Sequence, residues 1–273
     1  MKIAILYIVT GRYKIFFKGF YDSFEKNFLP AAEKHFFVFT DTPSDPEFKR
    51  ENVSTIKRDA KGFPFDTLDR FGMFCSIKPE LEKFDYIFFL NANLVCEEIV
   101  GEEILPNPET ESGLVCAARP LMSALDSRSF PYERNEKSTA YIPFGEGRVY
   151  VQGGFIGGEA GAFLKMSKIL ADNISCDLKN GIVAVWHDES HLNRYVMDLQ
   201  VKLLGLSYLC PDTKKYRKRC RRSGQNPKVI LLEKSSYKYG GIDYLRGRRD
   251  NRIGMLEYIL WKYFRCIYKM FKK

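Results

Sequence analysis

Paired cysteines, long apolar runs and metal-binding motifs are what this 273-residue chain lacks. Its seven cysteines (75, 96, 116, 176, 210, 220 and 266) are odd in number, scattered and without a Cys-x-x-Cys pair, a pattern of reduced thiols in a cytosolic protein. No apolar stretch is long enough to span a bilayer. The opening run Met1-Lys-Ile-Ala-Ile-Leu-Tyr-Ile-Val9 has no small-residue cleavage site and reads as a β-strand, not a signal peptide. The Asn173-Ile-Ser175 sequon is then incidental. Repeats and flexible linkers are absent, so the simplest division is one domain, residues 1–252, plus a tail, residues 253–273. The cluster Trp186-His187-Asp188-Glu189-Ser190-His191 spaces two histidines at i and i+4, yet Asp188 stands where a zinc protease needs Glu.

What is present is a basic excess in two places. Residues 214–222, Lys-Lys-Tyr-Arg-Lys-Arg-Cys-Arg-Arg, hold seven cations and no acid, and residues 244–273 add a net +7. The whole chain is +9, so everything outside these segments sums to −5. On a helical wheel Lys262, Arg265, Lys269 and Lys272 share a stripe, and the rest of the tail is covered by Leu256, Ile259, Leu260, Trp261, Phe264, Ile267, Met270 and Phe271. That is the pattern of a helix lying in the interface of an anionic membrane. A helix packed on its own domain with its basic side in water is the competing reading.

The N-terminal half alternates strand-like runs (3–9, 36–39, 53–56, 86–90) with helical patterns near 16–28 and 67–81, the rhythm of a mostly parallel sheet. Further strands are expected at 114–117, 149–151 and 229–232, and helices at 160–171 and 191–199. Tyr86 to Leu90 is five apolar residues in a row, a strand covered on both faces. Ligands of open α/β sheets bind past the carboxyl ends of such strands, which puts Asn91 and Asn93 at a ligand. An ordinary asparagine turn is the alternative. A neutral amide is a far weaker ligand for a hard cation than a carboxylate, so metal dependence is not expected.

Two other segments carry chemistry. Carboxylates beside an indole at 186–189 suit sugar chemistry, in which a carboxylate meets an oxocarbenium-like centre; a helix start rich in acids is the structural alternative. The run Tyr150-Val-Gln-Gly153-Gly154-Phe-Ile-Gly157-Gly158 lets a ligand approach the backbone closely, or marks a bulged strand. Arg246, Arg248 and Arg249, after Tyr239-Gly240-Gly241, are candidates for closing on a diphosphate.

In order along the chain, Ile8-Val-Thr-Gly-Arg-Tyr13, Thr67-Leu-Asp-Arg70-Phe, Phe88-Phe-Leu-Asn-Ala-Asn93, Tyr132-Glu-Arg, Ser138-Thr-Ala-Tyr-Ile-Pro143, Gly145-Glu-Gly-Arg148, the paired glycines and Trp186-His-Asp-Glu-Ser resemble glycosyltransferase family 6. The likeness is to its bacterial members with Asn-x-Asn in place of Asp-x-Asp. The resemblance implies a GT-A-type α/β domain with a mostly parallel central sheet, to which the wheel adds a C-terminal basic amphipathic helix. It also implies a retaining α-1,3-transferase that moves GalNAc or Gal from UDP to a glycan or lipid-linked acceptor, with manganese possible but not required.

By position, the resemblance puts uracil at Ile8, Val9 and Tyr13 and the donor at Arg70, Asn91, Asn93, Gly154, His187 and Asp188, to which the reading of the residues themselves adds Gly153 and Arg246. It gives Trp186 and Glu189 to the acceptor and makes Glu189 the catalytic carboxylate. Gly154, matching a position that influences donor choice, points to UDP-GalNAc first. Arg119-Pro120-Leu121-Met122-Ser123 departs from the family's His-Pro-Gly-Phe-Tyr, so a fucosylated galactose acceptor does not follow. No nucleic-acid partner is expected, and the implied location is peripheral, on the cytoplasmic face of the cell membrane. A membrane-surface or nucleic-acid binding module using 214–222 and the tail is the alternative function.

Overall fold

The computed structural model describes residues 1–119 and 126–271. Its centre is a seven-stranded sheet of β1 (Lys2–Ile8), β2 (Glu33–Thr40), β3 (Val53–Lys57), β4 (Tyr86–Leu90), β6 (Leu114–Ala118), β7 (Val151–Glu159) and β8 (Lys202–Leu204). The strand order is β3-β2-β1-β4-β7-β6-β8, with β7 antiparallel to both neighbours and every other pairing parallel. The expected mostly parallel α/β sheet is therefore present. From β1 the chain first builds outward through β2 and β3 and then returns to add β4 on the opposite side, which opens a crevice at the carboxyl ends of β1 and β4.

Both faces of β4 are covered. Phe88 and Leu90 enter a cluster with Phe17, Phe20, Phe24 and Phe28 of α1 (Phe17–Asn27) and its end, while Ile87 and Phe89 face Phe71 and Phe74 of α3 (Arg70–Ser76) and Phe163 of α5 (Ala160–Lys179). The three- and four-residue spacing of the α1 phenylalanines aims them at one side of the sheet.

The helix expected over 67–81 is divided into α2 (Phe65–Leu68), α3 and α4 (Lys78–Leu81). Pro79 has no N–H to continue the ladder and starts a new segment instead. The strand expected at 149–151 begins only at Val151 and runs on through both glycine pairs as β7, and β6 and β7 slip register so that Cys116 faces Ile156 while Ala117 faces Gln152. Residues 153–155 bulge out of that pairing, and such a bulge re-aims the chain where a site is built. The second glycine pair has a different cause, because a Cβ on Gly157 would lie 2.2 Å from Phe88 Cδ1.

The strand at 229–232 is β10 (Val229–Leu231), which joins β5 (Leu94–Cys96) and β9 (Cys210–Pro211) in a separate small sheet. Residues 188–196 form α6, which begins three residues before its expected start, the basic run is the helix α7 (Lys214–Arg222), α8 is Ile242–Leu245, and the tail is α9 (Met255–Phe271). Of the expected basic stripe, Lys262 is bonded to Glu233 of the domain. Arg265, Lys269 and Lys272 lie outside the described side chains.

Gly157→Ala is expected to lower stability by about 1–3 kcal/mol through overpacking against Phe88. Urea denaturation checks it as a lower midpoint at unchanged slope.

Candidate active site

Two adjoining cavities lie at the crevice. The larger, about 380 Å³, runs from Ile8 and Tyr13 past Phe63, Thr67 and Arg70 to Asn91, Lys234 and Arg246. The second, about 230 Å³, is lined by Gly153, Gly154, Trp186, Asp188 and Glu189 and shares Thr67, Arg70, Asn91 and Lys234 with the first. The first falls in the size range of small-ligand pockets.

A buried ion pair forms the floor between them. Arg70 Nη1 lies 2.7 Å from Asp188 Oδ2 and donates to the Gly153 carbonyl at 2.7 Å, with its guanidinium 4.1 Å over the Phe89 ring. Its Nε is buried without a protein partner. Burial is the largest influence on Asp188 and pushes its carboxyl up to about 6; Arg70 opposes that shift and Glu189 adds to it.

Glu189 is held from two sides. Its Oε1 accepts from the Tyr150 hydroxyl at 2.7 Å and its Oε2 from the Gly153 N–H at 2.8 Å. Burial, and then the neighbouring Glu189 carboxylate, raise Tyr150 well above its ordinary value, so the phenol stays a donor. Asn193, one turn along α6, bonds both backbone groups of Val151 and the Glu189 carbonyl, fixing the helix to β7. The first turn of α6 starts from His187, whose φ of 56° is uncommon for a residue with a side chain. Such strain, of order 1–3 kcal/mol, gathers at functional sites.

Cations dominate the larger cavity. Arg246 lies 4.2 Å over Phe63 and beside the Tyr13 hydroxyl, and Lys234 Nζ stands 5.4 Å over the Tyr13 ring. Burial and the nearby Arg246 and Arg70 push Lys234 down to about 8. Arg12 donates to the Tyr244 carbonyl at 3.1 Å and pairs with Asp250 at 3.1 Å, strapping residues 244–250 along the cavity mouth. Among the described residues no group of three or more His, Cys, Asp or Glu is placed to hold a metal.

Ile8, Tyr13, Arg70, Asn91 and Arg246 meet at the first cavity, and Gly153, Gly154, Trp186, Asp188 and Glu189 at the second. Three expected site residues stand elsewhere. The Val9 side chain belongs to the core. His187 turns its ring onto Phe63, centroids 5.0 Å apart, with Nδ1 buried and unpartnered. Asn93 is buried and lines neither cavity: its Nδ2 donates to the Leu232 carbonyl at 2.6 Å while its own carbonyl accepts from Leu232 N–H at 2.9 Å.

These two hydrogen bonds fix the chain two residues before Lys234, a site residue the sequence reading missed. Its signal was the carboxyl end of the strand at 229–232, the same rule that found Asn91. Tyr150 and Asn193 were missed as well. Arg119 lies 5.4 and 5.9 Å over the Tyr150 and Trp186 rings, a cation where the family carries imidazole. The rest of that departure, 120–123, lies outside the described residues.

Asn93→Asp would set a carboxylate against the Leu232 carbonyl. The expected cost is about 1–3 kcal/mol from the lost donor, seen as a lower thermal midpoint, with no manganese activation gained. For Asp188, turnover is expected to fall as pH drops through about 6 and the carboxylate that pairs with Arg70 is protonated. Stability runs the other way: the raised folded value favours the fold below the ordinary 3.8 and that contribution is lost as pH rises through about 6. A pH–rate profile beside a pH–stability profile checks both, and Asp188→Asn removes both limbs.

The family model of glycosyltransferase family 6 matches residues 1–225. The chain is 34% identical over 241 residues to the O-antigen biosynthesis glycosyltransferase WbnI of Escherichia coli, a match covering 88% of this chain and 98% of that protein. It is 30% identical over 222 residues to human globoside alpha-1,3-N-acetylgalactosaminyltransferase 1, covering 78% of this chain and 62% of the relative. With histo-blood group ABO system transferase 1 of Rattus norvegicus it shares 32% over 202 residues, 71% of this chain and 56% of that protein. A family model matched over residues 1–225 and a relative 34% identical along almost its whole length together show that the chain belongs to glycosyltransferase family 6.

Proposed function

We propose that the protein is a retaining, metal-independent α-1,3-glycosyltransferase that moves GalNAc, or less readily Gal, from UDP to a hydroxyl of a bacterial surface glycan. The observation that carries this reading is the pair of cavities meeting at Thr67, Arg70, Asn91 and Lys234, with Glu189 on the far side. Uracil and ribose take the end at Ile8 and Tyr13, the diphosphate the cationic middle, and the donor sugar the junction beside Gly153 and Gly154. The acceptor enters over Trp186 and Arg119.

In the reaction the anomeric carbon–oxygen bond breaks and its electron pair goes to the departing β-phosphate. Lys234, Arg70 and Arg246 meet that charge, the task a cation has where the strand ends in carboxylates; Asn91, being neutral, does not draw a metal in. The Glu189 carboxylate meets the positive charge that develops at the anomeric carbon. The acceptor oxygen bonds to that carbon on the face the phosphate left, and its proton passes to the phosphate.

Two names support the substrates: one relative is described as an N-acetylgalactosaminyltransferase and another by O-antigen biosynthesis. Gly154 supports GalNAc further, since a Cβ there would come within 2.9 Å of Asn91 Nδ2 and narrow the junction.

UDP release from UDP-GalNAc and UDP-Gal across a glycan panel, in EDTA and in manganese, tests the reading. Release in EDTA, fastest from UDP-GalNAc, is expected; strict dependence on manganese would overturn the metal-independent part. Glu189→Gln should cut turnover by about 10³-fold and Lys234→Ala by about 10²–10³-fold. Calorimetric UDP affinity should hold in the first variant and fall in the second.

A further inference from the structure

Helix α9 is fastened to the domain by its polar side chains and turns its apolar ones outward. The Tyr258 hydroxyl and Lys262 Nζ both donate to Glu233 Oε2, at 2.6 and 2.9 Å, and Arg249 pairs with Glu257. Met255, Leu256, Ile259, Leu260, Tyr263 and Phe264 are left between 48% and 72% exposed. A helix that belongs only to its own domain has the opposite arrangement, apolar side in and polar side out. A contiguous apolar surface of this kind marks an interaction face.

Charge that leaves the same end of the small sheet points to what covers that face. Strands β9 and β10 are parallel, so α7, which follows β9, and Glu233, which follows β10 and anchors α9, leave the same end of the small sheet. In α7, Arg217 pairs with Glu97 and Asp212. Lys214, Lys215, Lys218, Arg219, Arg221 and Arg222 are exposed, and among the described residues no carboxylate forms an ion pair with any of them. A second copy docked across a two-fold axis would bring these cations toward their own images. An anionic lipid surface offers the complement of both helices: acyl chains for the outward side of α9 and headgroup charge for α7. Among the described residues no helix is long and apolar enough to cross a membrane, so the geometry is that of lying on one.

We propose that α9 seats in the interface of an anionic membrane with α7 against the headgroups, holding the transferase as a peripheral protein on the negatively charged cytoplasmic leaflet. Helix α7 supplies charge for this contact, while Lys262 is bonded to the domain.

Co-sedimentation of the full chain with vesicles of phosphatidylcholine and phosphatidylglycerol, against phosphatidylcholine alone, tests the proposal. Binding to the mixed vesicles that weakens with salt is expected. Ile259→Glu with Phe264→Glu should abolish it. Lys218→Gln, Arg219→Gln, Arg221→Gln and Arg222→Gln together should weaken it by about 600-fold, each cation near the surface contributing roughly 5-fold. Turnover of UDP-sugar on a soluble acceptor should be unchanged in both variants, which verifies their fold and separates this test from that of the transferase reading. Equal binding to uncharged vesicles overturns the role of α7. A vesicle-free dimer broken by the two glutamates assigns the face to a second copy, and a monomer that ignores vesicles assigns it to another protein; either result overturns the proposal.

Discussion

The guanidinium of Arg70 bonds the Asp188 carboxylate and the Gly153 carbonyl and lies over Phe89, so α3, β4, the bulge in β7 and the start of α6 converge on one buried charge. Removing either member of such a pair leaves the other uncompensated, at a cost of about 3–5 kcal/mol. The Gly153 N–H, on the same residue whose carbonyl Arg70 holds, orients Glu189. The glycosyltransferase centre is thus built outward from an ion pair: first the bulge, then the carboxylate that the bulge presents.

The two asparagines at the end of β4 divide their work. Asn91 lines the cavities, whereas Asn93 faces backward: its side-chain Nδ2 donates to the Leu232 carbonyl and its main-chain carbonyl accepts from the Leu232 N–H, while its Oδ1 is buried without a partner. An aspartate at 93 supplies no donor for the Leu232 carbonyl. Exchange of carboxylates for amides therefore alters the fold's internal bonding as well as its appetite for cations, and the Leu232 carbonyl that the amide holds lies two residues before Lys234.

Much of the fold was legible because it rests on local pattern. The unbroken apolar run of β4 announced a strand covered on both faces, and the helical pattern near 16–28 announced the helix α1, which the structure lays on one of them. The site was legible where residues are close in sequence, as at 186–189 and 153–154. Lys234, Tyr150 and Asn193 escaped because their roles come from pairings formed in three dimensions: β10 beside β5, and a helix turned onto a strand. The orientation of Asn93 escaped for the same reason. An Asn-x-Asn written on paper puts both side chains near a ligand, whereas the backbone turning after β4 sends them to different neighbours. The outward side of α9 was visible as an apolar arc on a wheel, but only its bonds to Glu233 reveal which side the domain had taken.

Glu233 and Lys234 are consecutive residues with opposite assignments, one gripping the C-terminal helix and the other reaching into the cleft. Their Cα atoms can be no more than about 3.8 Å apart, so the foothold of the helix and the cation of the cleft form a single short step of backbone. In the proposed seating, a helix resting on lipid would act as a ruler, setting the height of the cleft above the surface and with it the length of glycan stem that could reach into the cleft.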